Sequence, residues 1–455
     1  MTVLDLFEPV YKLLPEIKPP EVQPVLKKRI LWTCLIIVLF FIMGNIGLVG
    51  LDKTSEQVKQ LEAIQIILAS PMGSLISAGI GPIVLASIIL QLLMGAGIIK
   101  INLSEAKDKA RFTSMQKLFA IILAFFEAGA YTGFGIFPAF IVPLPGMVWL
   151  VVLQIALGSI LLMYLDEIVS KYGFGSGIGL FIAGGVASTI FWRVFAPPLQ
   201  EGLVKGLLLL FIEAVASGQL LNALVILTPV IFTLLVFFVV VWAEGIHVNI
   251  PITMGASGFG GRYPVKFLYV SNIPVILAAA LFANIQLWSI LTAKTPLLGQ
   301  LMEILAFYTK SPHSLIETIF LQGVLNSGLA IFQALIYLLI LIVACVIFGK
   351  FWVEMGGQGT EQVAEQLSNA GMYIPGFRRD KRVILSVLER YIPPITILGS
   401  MFVGLLAGFA DLTGALGTGT GILLTVGIVY RLYEELAKQQ VLESNVLLQK
   451  LVGGS

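Results

Sequence analysis

Charge is scarce in this chain. Asp, Glu, Lys and Arg make up 12% of its 455 residues, while hydrophobic residues make up 58% and the mean hydropathy is +0.96. A water-facing domain carries roughly a quarter charged residues, so lipid rather than water must cover much of this surface. Histidine is nearly absent: His247 and His313 are far apart and make no catalytic or zinc constellation. The two cysteines, Cys34 and Cys345, both lie inside apolar runs and offer neither a disulfide framework nor metal-ligand spacing. No Gly-x-x-x-x-Gly-Lys phosphate loop occurs. These absences point away from an enzyme and imply neither a cofactor nor a metal.

What the chain has in quantity is long uncharged stretches. A helix that crosses a bilayer needs about 20 largely apolar residues. Runs of that kind are Ile30–Leu51, Tyr172–Trp192, Ala214–Ala243, Phe267–Ala293, Thr318–Gly349, Tyr391–Ala410 and Leu412–Tyr430. Ala63–Ile99 is longer, and its Pro71, Gly73, Gly79, Gly81 and Pro82 suggest a short helix, a break and then a full span. Leu118–Leu165 holds one charge, Glu127, and is interrupted near Phe134–Pro145, so it contains two spans. Ten spans result. The first is too long for a cleavable signal and is followed by no cleavage site.

Lys and Arg orient the chain. With the N-terminus inside, segments 1–29, 100–117, 166–177, 244–266, 350–390 and 431–455 share one side and carry 22 of the 28 basic residues. The positive-inside rule then puts both termini in the cytoplasm of a multi-pass plasma-membrane protein. Residues 5–20 read as a short amphipathic helix at the membrane surface. Segment 350–390, with its cluster Arg378-Arg379-Asp380-Lys381-Arg382, is large for a simple connector.

Inside the spans the single acidic residue is Glu127, and no Lys or Arg lies away from the ends. Ion-coupled transporters place several ionisable groups at mid-membrane, so this chain has little to titrate. The Gly-rich stretches Gly173–Gly179 and Gly417–Gly421 sit at or within apolar runs and suit helix packing or flexing better than phosphate binding. Gly79-Ile80-Gly81-Pro82-Ile83-Val84 and Gly177-Ile178-Gly179-Leu180-Phe181-Ile182 each set branched aliphatics four apart, on one helical face. Such residues pack against neighbours or lipid, or they line a constriction that excludes water. Spacing alone leaves both open.

At these segments the chain resembles the SecY family of protein-translocase channel subunits, in its archaeal branch related to the eukaryotic endoplasmic-reticulum channel. The resemblance is carried by Gly79–Val84 with Gln91-Leu92-Leu93, by Tyr164-Leu165-Asp166-Glu167-Ile168-Val169-Ser170-Lys171-Tyr172-Gly173, and by Gly175–Ile182. It continues in Tyr263-Pro264-Val265-Lys266-Phe267, Tyr269–Ile276, Phe282-Ala283-Asn284-Ile285-Gln286, Gly376-Phe377-Arg378, Arg390-Tyr391-Ile392-Pro393-Pro394 and Gly419–Val426. It therefore covers essentially the whole chain.

The family implies an all-α integral membrane protein, with ten transmembrane helices in two inverted five-helix halves around a central pore. The first half would be 30–199 and the second 220–435, joined by an outer hinge at 200–219 and flanked by an N-terminal segment 1–29 and a tail 436–455. Unfolded secretory chains would cross passively, and membrane segments would leave sideways into the lipid bilayer. The implied pore ring is Ile80, Val84, Ile178, Ile182, Ile276 and Leu424, all aliphatic here. The implied plug is about 60–72, where Leu61, Ile64, Ile67 and Leu68 oppose Glu62, Gln65 and Ser70. The lateral gate would hold Ser87, Gln91, Glu127, Asn284 and Gln286; Leu85 stands where some relatives carry a hydroxyl, which leaves the polar latch incomplete.

Arg262, Lys266, Arg378 and Arg379 match the family's docking sites for the ribosome, whose phosphate surface attracts such side chains; the same charges also serve as positive-inside anchors. Further partners implied by the resemblance are a SecE (gamma-type) subunit, a small beta-type subunit, and nascent secretory and membrane-protein chains. Two other functions compete with this one: a secondary transporter of a small solute, and an insertase-like scaffold without a pore.

Overall fold

The computed structural model describes residues 14–21, 24–51, 73–95, 99, 106–133, 144, 146–196, 205–254, 259–270, 273–292, 295, 298–312, 315–323, 327–355, 358–369, 371–374 and 380–444. The chain divides into two compact units, one spanning Met1–Leu210 with Ile428–Ser455 and the other Phe211–Gly427. The fold is mostly helical. Among the described residues, six helical stretches are long and apolar enough to cross a membrane: Ala110–Gly133, Met147–Tyr172, Gly177–Phe195, Leu220–Glu244, Gly328–Glu354 and Lys381–Leu412. Their outward faces are apolar, as at Trp149, Phe238 and Leu329 (86% exposed), which suits contact with hydrocarbon.

The first unit contains α1 (Leu26–Asn45), α2 (Gly81–Gly95), α3 (Ala106–Gly133), α4 (Met147–Tyr172) and α5 (Gly177–Phe195). In lipid the helices gain little from burying apolar surface against each other, so close approach through small residues must hold them. That is how this unit is built. Ala78, Ala124, Ala128 and Ala156 pack with Leu48, Val151, Val152 and Ile155. Gly158 of α4 lies so close to the 73–80 segment that a Cβ there would stand 1.8 Å from the Leu75 carbonyl oxygen. The same segment is tied to the end of α1, Leu75 N–H donating to the Ile46 carbonyl (2.9 Å) and Leu48 N–H to that of Gly73 (2.9 Å).

α6 (Leu207–Ala216) straddles the division between the units. The second unit continues with α7 (Leu220–Glu244), β1 (His247–Met254), β2 (Phe259–Lys266), α8 (Ile273–Thr292), α9 (Leu298–Thr309), α10 (Leu315–Gln322), α11 (Gly328–Met355), α12 (Thr360–Asn369), β3 (Met372–Tyr373) and α13 (Lys381–Leu412). The last helix, α14 (Gly419–Ser444), starts in this unit and ends in the first. Pro229 interrupts the α7 ladder, and the Val225 carbonyl it leaves over accepts the Thr228 hydroxyl at 2.6 Å. One core cluster gathers α7, α8, α11, α13 and the start of α14 around Val236, Val275, Leu341, Val403 and Leu423.

Segments 244–266 and 350–390, which look like separate loops in sequence, form one folded piece. The sheet order is β2-β1-β3, with Thr253 paired to Tyr373 and Met254 to Met372. Pro251 is tolerated in the central strand because β3 pairs only beyond it. Beneath lie Ile250, Val265, Val353, Val363, Leu367, Ile384 and Leu388. α13 serves both cores: its first turns join this cluster, its later turns the apolar one, and Pro393-Pro394 mark the passage between them.

Candidate functional site

The ring candidates are distributed over both units. Ile80 precedes the first turn of α2, and its carbonyl accepts from the N–H groups of Ile83 and Val84 (both 3.1 Å). Gly79 in front of it takes φ +56°, a conformation in which a side chain is strained. Ile80 packs against the cluster of Ile36, Ile83, Ala86, Leu162 and Phe181, and so does Ile178. Ile178 and Ile182 are on one face of α5, which starts where Asp166 and Ser176 accept from its first N–H groups, Ile178 to Asp166 Oδ1 at 2.8 Å and Gly179 to Ser176 Oγ at 3.4 Å. In the second unit, Ile276 of α8 lies next to the fully buried Val275, and Leu424 of α14 next to the fully buried Leu423. All six ring candidates are half-exposed. Ile80 and Ile178 thus border the first unit's core, while Ile276 and Leu424 stand beside fully buried neighbours.

Of the gate candidates, Glu127 on α3 stands over the start of α2, its Oε2 3.1 Å from the point a Gly81 Cβ would occupy. A carboxyl there complements the positive end of a helix. Ser87 on α2 and Gln286 on α8 are half-buried. Gln91 and Asn284 belong to the same two helices, and their side chains lie outside the described residues, as do all four plug positions (Leu61, Ile64, Ile67, Leu68) and both Arg378 and Arg379. Arg262 and Lys266 sit on β2, opposite Pro251 and His247, with Arg262 exposed. Lys381 makes a surface pair with Glu365 at 3.3 Å, both side chains well exposed.

Several polar contacts were not evident from sequence. Lys117 and Lys171 both bind Glu167 at 2.8 Å, with Lys117 and Glu167 about one-tenth exposed. Arg29 donates to the Gly173 carbonyl (2.8 Å), lies over the Phe174 ring (4.4 Å) and meets Glu435 at 3.4 Å. Tyr172 donates to the Lys18 carbonyl at 2.9 Å, seating the N-terminal strap on α4. Asp411, at the end of α13, accepts from Tyr337 (2.8 Å) and from Gly419 N–H (2.6 Å). A charged residue beside an apolar helix start was the available signal for Asp166 and Asp411. Partners such as Lys117 for Glu167, Gly173 for Arg29 and Tyr337 for Asp411 come from distant parts of the chain and had none. Among the described residues no group of three His, Cys, Asp or Glu could hold a metal.

Comparison with known proteins matches residues 74–433 to the SecY family model. The protein translocase subunit SecY of Methanococcus vannielii is 45% identical, covering 98% of this chain and 99% of its own length. A solved structure of the SecY protein, whose plug domain stabilises the closed state of the translocation channel and maintains a membrane seal, is 41% identical with a TM-score of 0.79, covering 96% of this chain and 97% of that one. Sec61 in the canine ribosome-channel complex from the endoplasmic reticulum is 41% identical with a TM-score of 0.75, covering 96% and 97%.

Proposed function

The chain belongs to the SecY family, and on that premise we propose how this protein-conducting channel subunit of the translocase works. Unfolded secretory chains pass through it, and transmembrane segments leave sideways into lipid. The observation that carries this reading is likeness to a protein translocase subunit over nearly the full length of both chains. The small-solute transporter gains nothing from the comparisons, and the channel is not an enzyme.

Ten spans in two inverted five-span halves extend the six apolar helices, with α1, α2, α8 and α14 as the remaining four, each overlapping an uncharged run of the sequence. The separation into two compact units supports a two-half design, hinged near 200–219. The placement of basic residues supports a plasma-membrane location with both termini cytoplasmic.

Ile80, Val84, Ile178, Ile182, Ile276 and Leu424 form the constriction. Aliphatic side chains offer ions and water no hydrogen bond, so a ring of them dewets, yet they part around any polypeptide. Residues 60–72 plug the pore from outside, and Ser87, Gln91, Glu127, Asn284 and Gln286 latch the lateral gate. Arg262, Lys266, Arg378 and Arg379 hold the ribosome through phosphate contacts. The protein works with a SecE (gamma-type) and a beta-type subunit. Proteoliposomes containing the three subunits should give protease-protected secretory precursor when ribosomes translating it are supplied; precursor that stays fully digestible refutes the function.

A further inference from the structure

The two units share a structural device at the start of one helix each. Gly175-Ser176-Gly177-Ile178-Gly179-Leu180-Phe181-Ile182 leads into α5, and Gly417-Thr418-Gly419-Thr420-Gly421-Ile422-Leu423-Leu424 leads into α14. The two strings align without a gap, glycine on glycine, hydroxyl on hydroxyl and Ile182 on Leu424. Both begin with a glycine at positive φ, +66° at Gly175 and +85° at Gly417. In both, the hydroxyl residue caps the helix three residues on: Ser176 Oγ accepts from Gly179 N–H at 3.4 Å, and Thr418 Oγ1 from Gly421 N–H at 3.2 Å.

In both, a carboxylate from the end of the preceding long helix takes one of the first N–H groups, the second in α5 and the first in α14. Asp166 of α4 accepts from Ile178 at 2.8 Å, and Asp411 of α13 accepts from Gly419 at 2.6 Å. The middle glycine of each string is pressed onto that same helix. A Cβ on Gly177 would stand 2.5 Å from the Asp166 Cα, and one on Gly419 would stand 2.0 Å from the Ala407 carbonyl oxygen. Each helix start is thus fixed twice, by charge-assisted hydrogen bonding to its N-terminus and by backbone contact that only glycine permits.

We propose that Asp166 and Asp411 are paired positioning residues, which set the depth and rotation of α5 and α14 and thereby aim Ile182 and Leu424 into the closed constriction. The inference rests on the ring reading given above. Each aliphatic lies five residues past the packed glycine, Gly177 or Gly419, about 7.5 Å along the axis, so a tilt or slip at the helix start is carried to it with little loss. A carboxylate suits this role because a hydrogen bond to a charged acceptor is about twice as strong as a neutral one. It releases nothing until the whole helix moves.

The test measures ion leak through planar bilayers containing the complete translocase complex, together with the thermal midpoint of each variant. Asp166→Ala and Asp411→Ala should each raise resting leak at least about tenfold, the effect of losing the bond to the helix start alone, since each also frees a hydroxyl, Ser176 or Tyr337. Asp166→Asn and Asp411→Asn keep an acceptor oxygen but lose its charge, and should leak more than wild type and less than the Ala variants. Ile182→Gly and Leu424→Gly test the ring itself and should leak. If the two ring variants leak while both Asp→Ala variants remain as tight as wild type, the positioning role is overturned and the ring survives. If the ring variants are tight, the ring falls and this inference with it. Asn variants as leaky as the Ala variants also overturn it. Should the Ala variants fail to assemble, Ser176→Ala and Thr418→Ala remove the lesser bond of each cap. They should give a smaller rise in leak at unchanged thermal midpoint; wild-type tightness in both overturns the proposal.

Discussion

Replacing Gly158 with alanine should destabilise the protein although alanine is the better helix former. In open space the change favours a helix by about 0.5–1 kcal/mol. At Gly158 the new Cβ would stand 1.8 Å from the Leu75 carbonyl oxygen, where ordinary contact begins at 3.4 Å. The backbone must give by more than an ångström. Leu75 cannot do so freely, because its N–H is bonded to Ile46 and Ser74 is bridged to Gly47. Overpacking costs about 1–3 kcal/mol, and loss of either backbone bond adds about 1 kcal/mol. The net expectation is a loss of about 1–3 kcal/mol after the helix gain is deducted. Gly129→Ala is the control: it lies in α3 with nothing within 4 Å of a Cβ, so the intrinsic gain should appear there. The assay is thermal unfolding of each purified variant in one detergent. A Gly158→Ala protein as stable as Gly129→Ala would refute the packing argument.

Three further outcomes are expected. Lys117→Met leaves Glu167 with Lys171 alone in a nearly buried site and should lower the thermal midpoint. A thermal midpoint equal to that of the wild type counts against the pairing. Deleting residues 60–72 should raise resting ion conductance in planar bilayers, and unchanged conductance would remove the plug. Charge reversal at Arg262 or Arg378 should weaken ribosome binding most at low salt; equal affinity at all salt concentrations contradicts phosphate docking.

The apolar runs were readable because a bilayer leaves the chain one simple requirement, about 20 residues without charge, and long helices cover most of runs such as Ala214–Ala243 and Thr318–Gly349, α11 continuing past the second to Met355. The caps were half readable. Ser176 before Gly177-Ile178 is a local N-cap signal, but the carboxylate completing it is Asp166, ten residues upstream on another helix. The β1–β3 pairing was illegible, because Thr253 and Tyr373 meet across 120 residues and β3 is two residues long. Gly158 carried no sign of its role, since only the distant Leu75 makes a side chain impossible there. The ring positions came from resemblance. Aliphatics four apart do not differ in pattern from ordinary core residues, and the half-exposed Leu424 beside the fully buried Leu423 shows how fine that distinction is.

The central claim is that six aliphatic side chains surround the translocating polypeptide. The direct measurement places single cysteines at Ile80, Val84, Ile178, Ile182, Ile276 and Leu424, with Cys34 and Cys345 replaced, and crosslinks them to a secretory chain stalled on its ribosome. Crosslinks should form at all six positions and fail at Val275 and Leu423, which the second unit's core buries completely. Crosslinks at those two buried positions, with none at the six, would contradict the account.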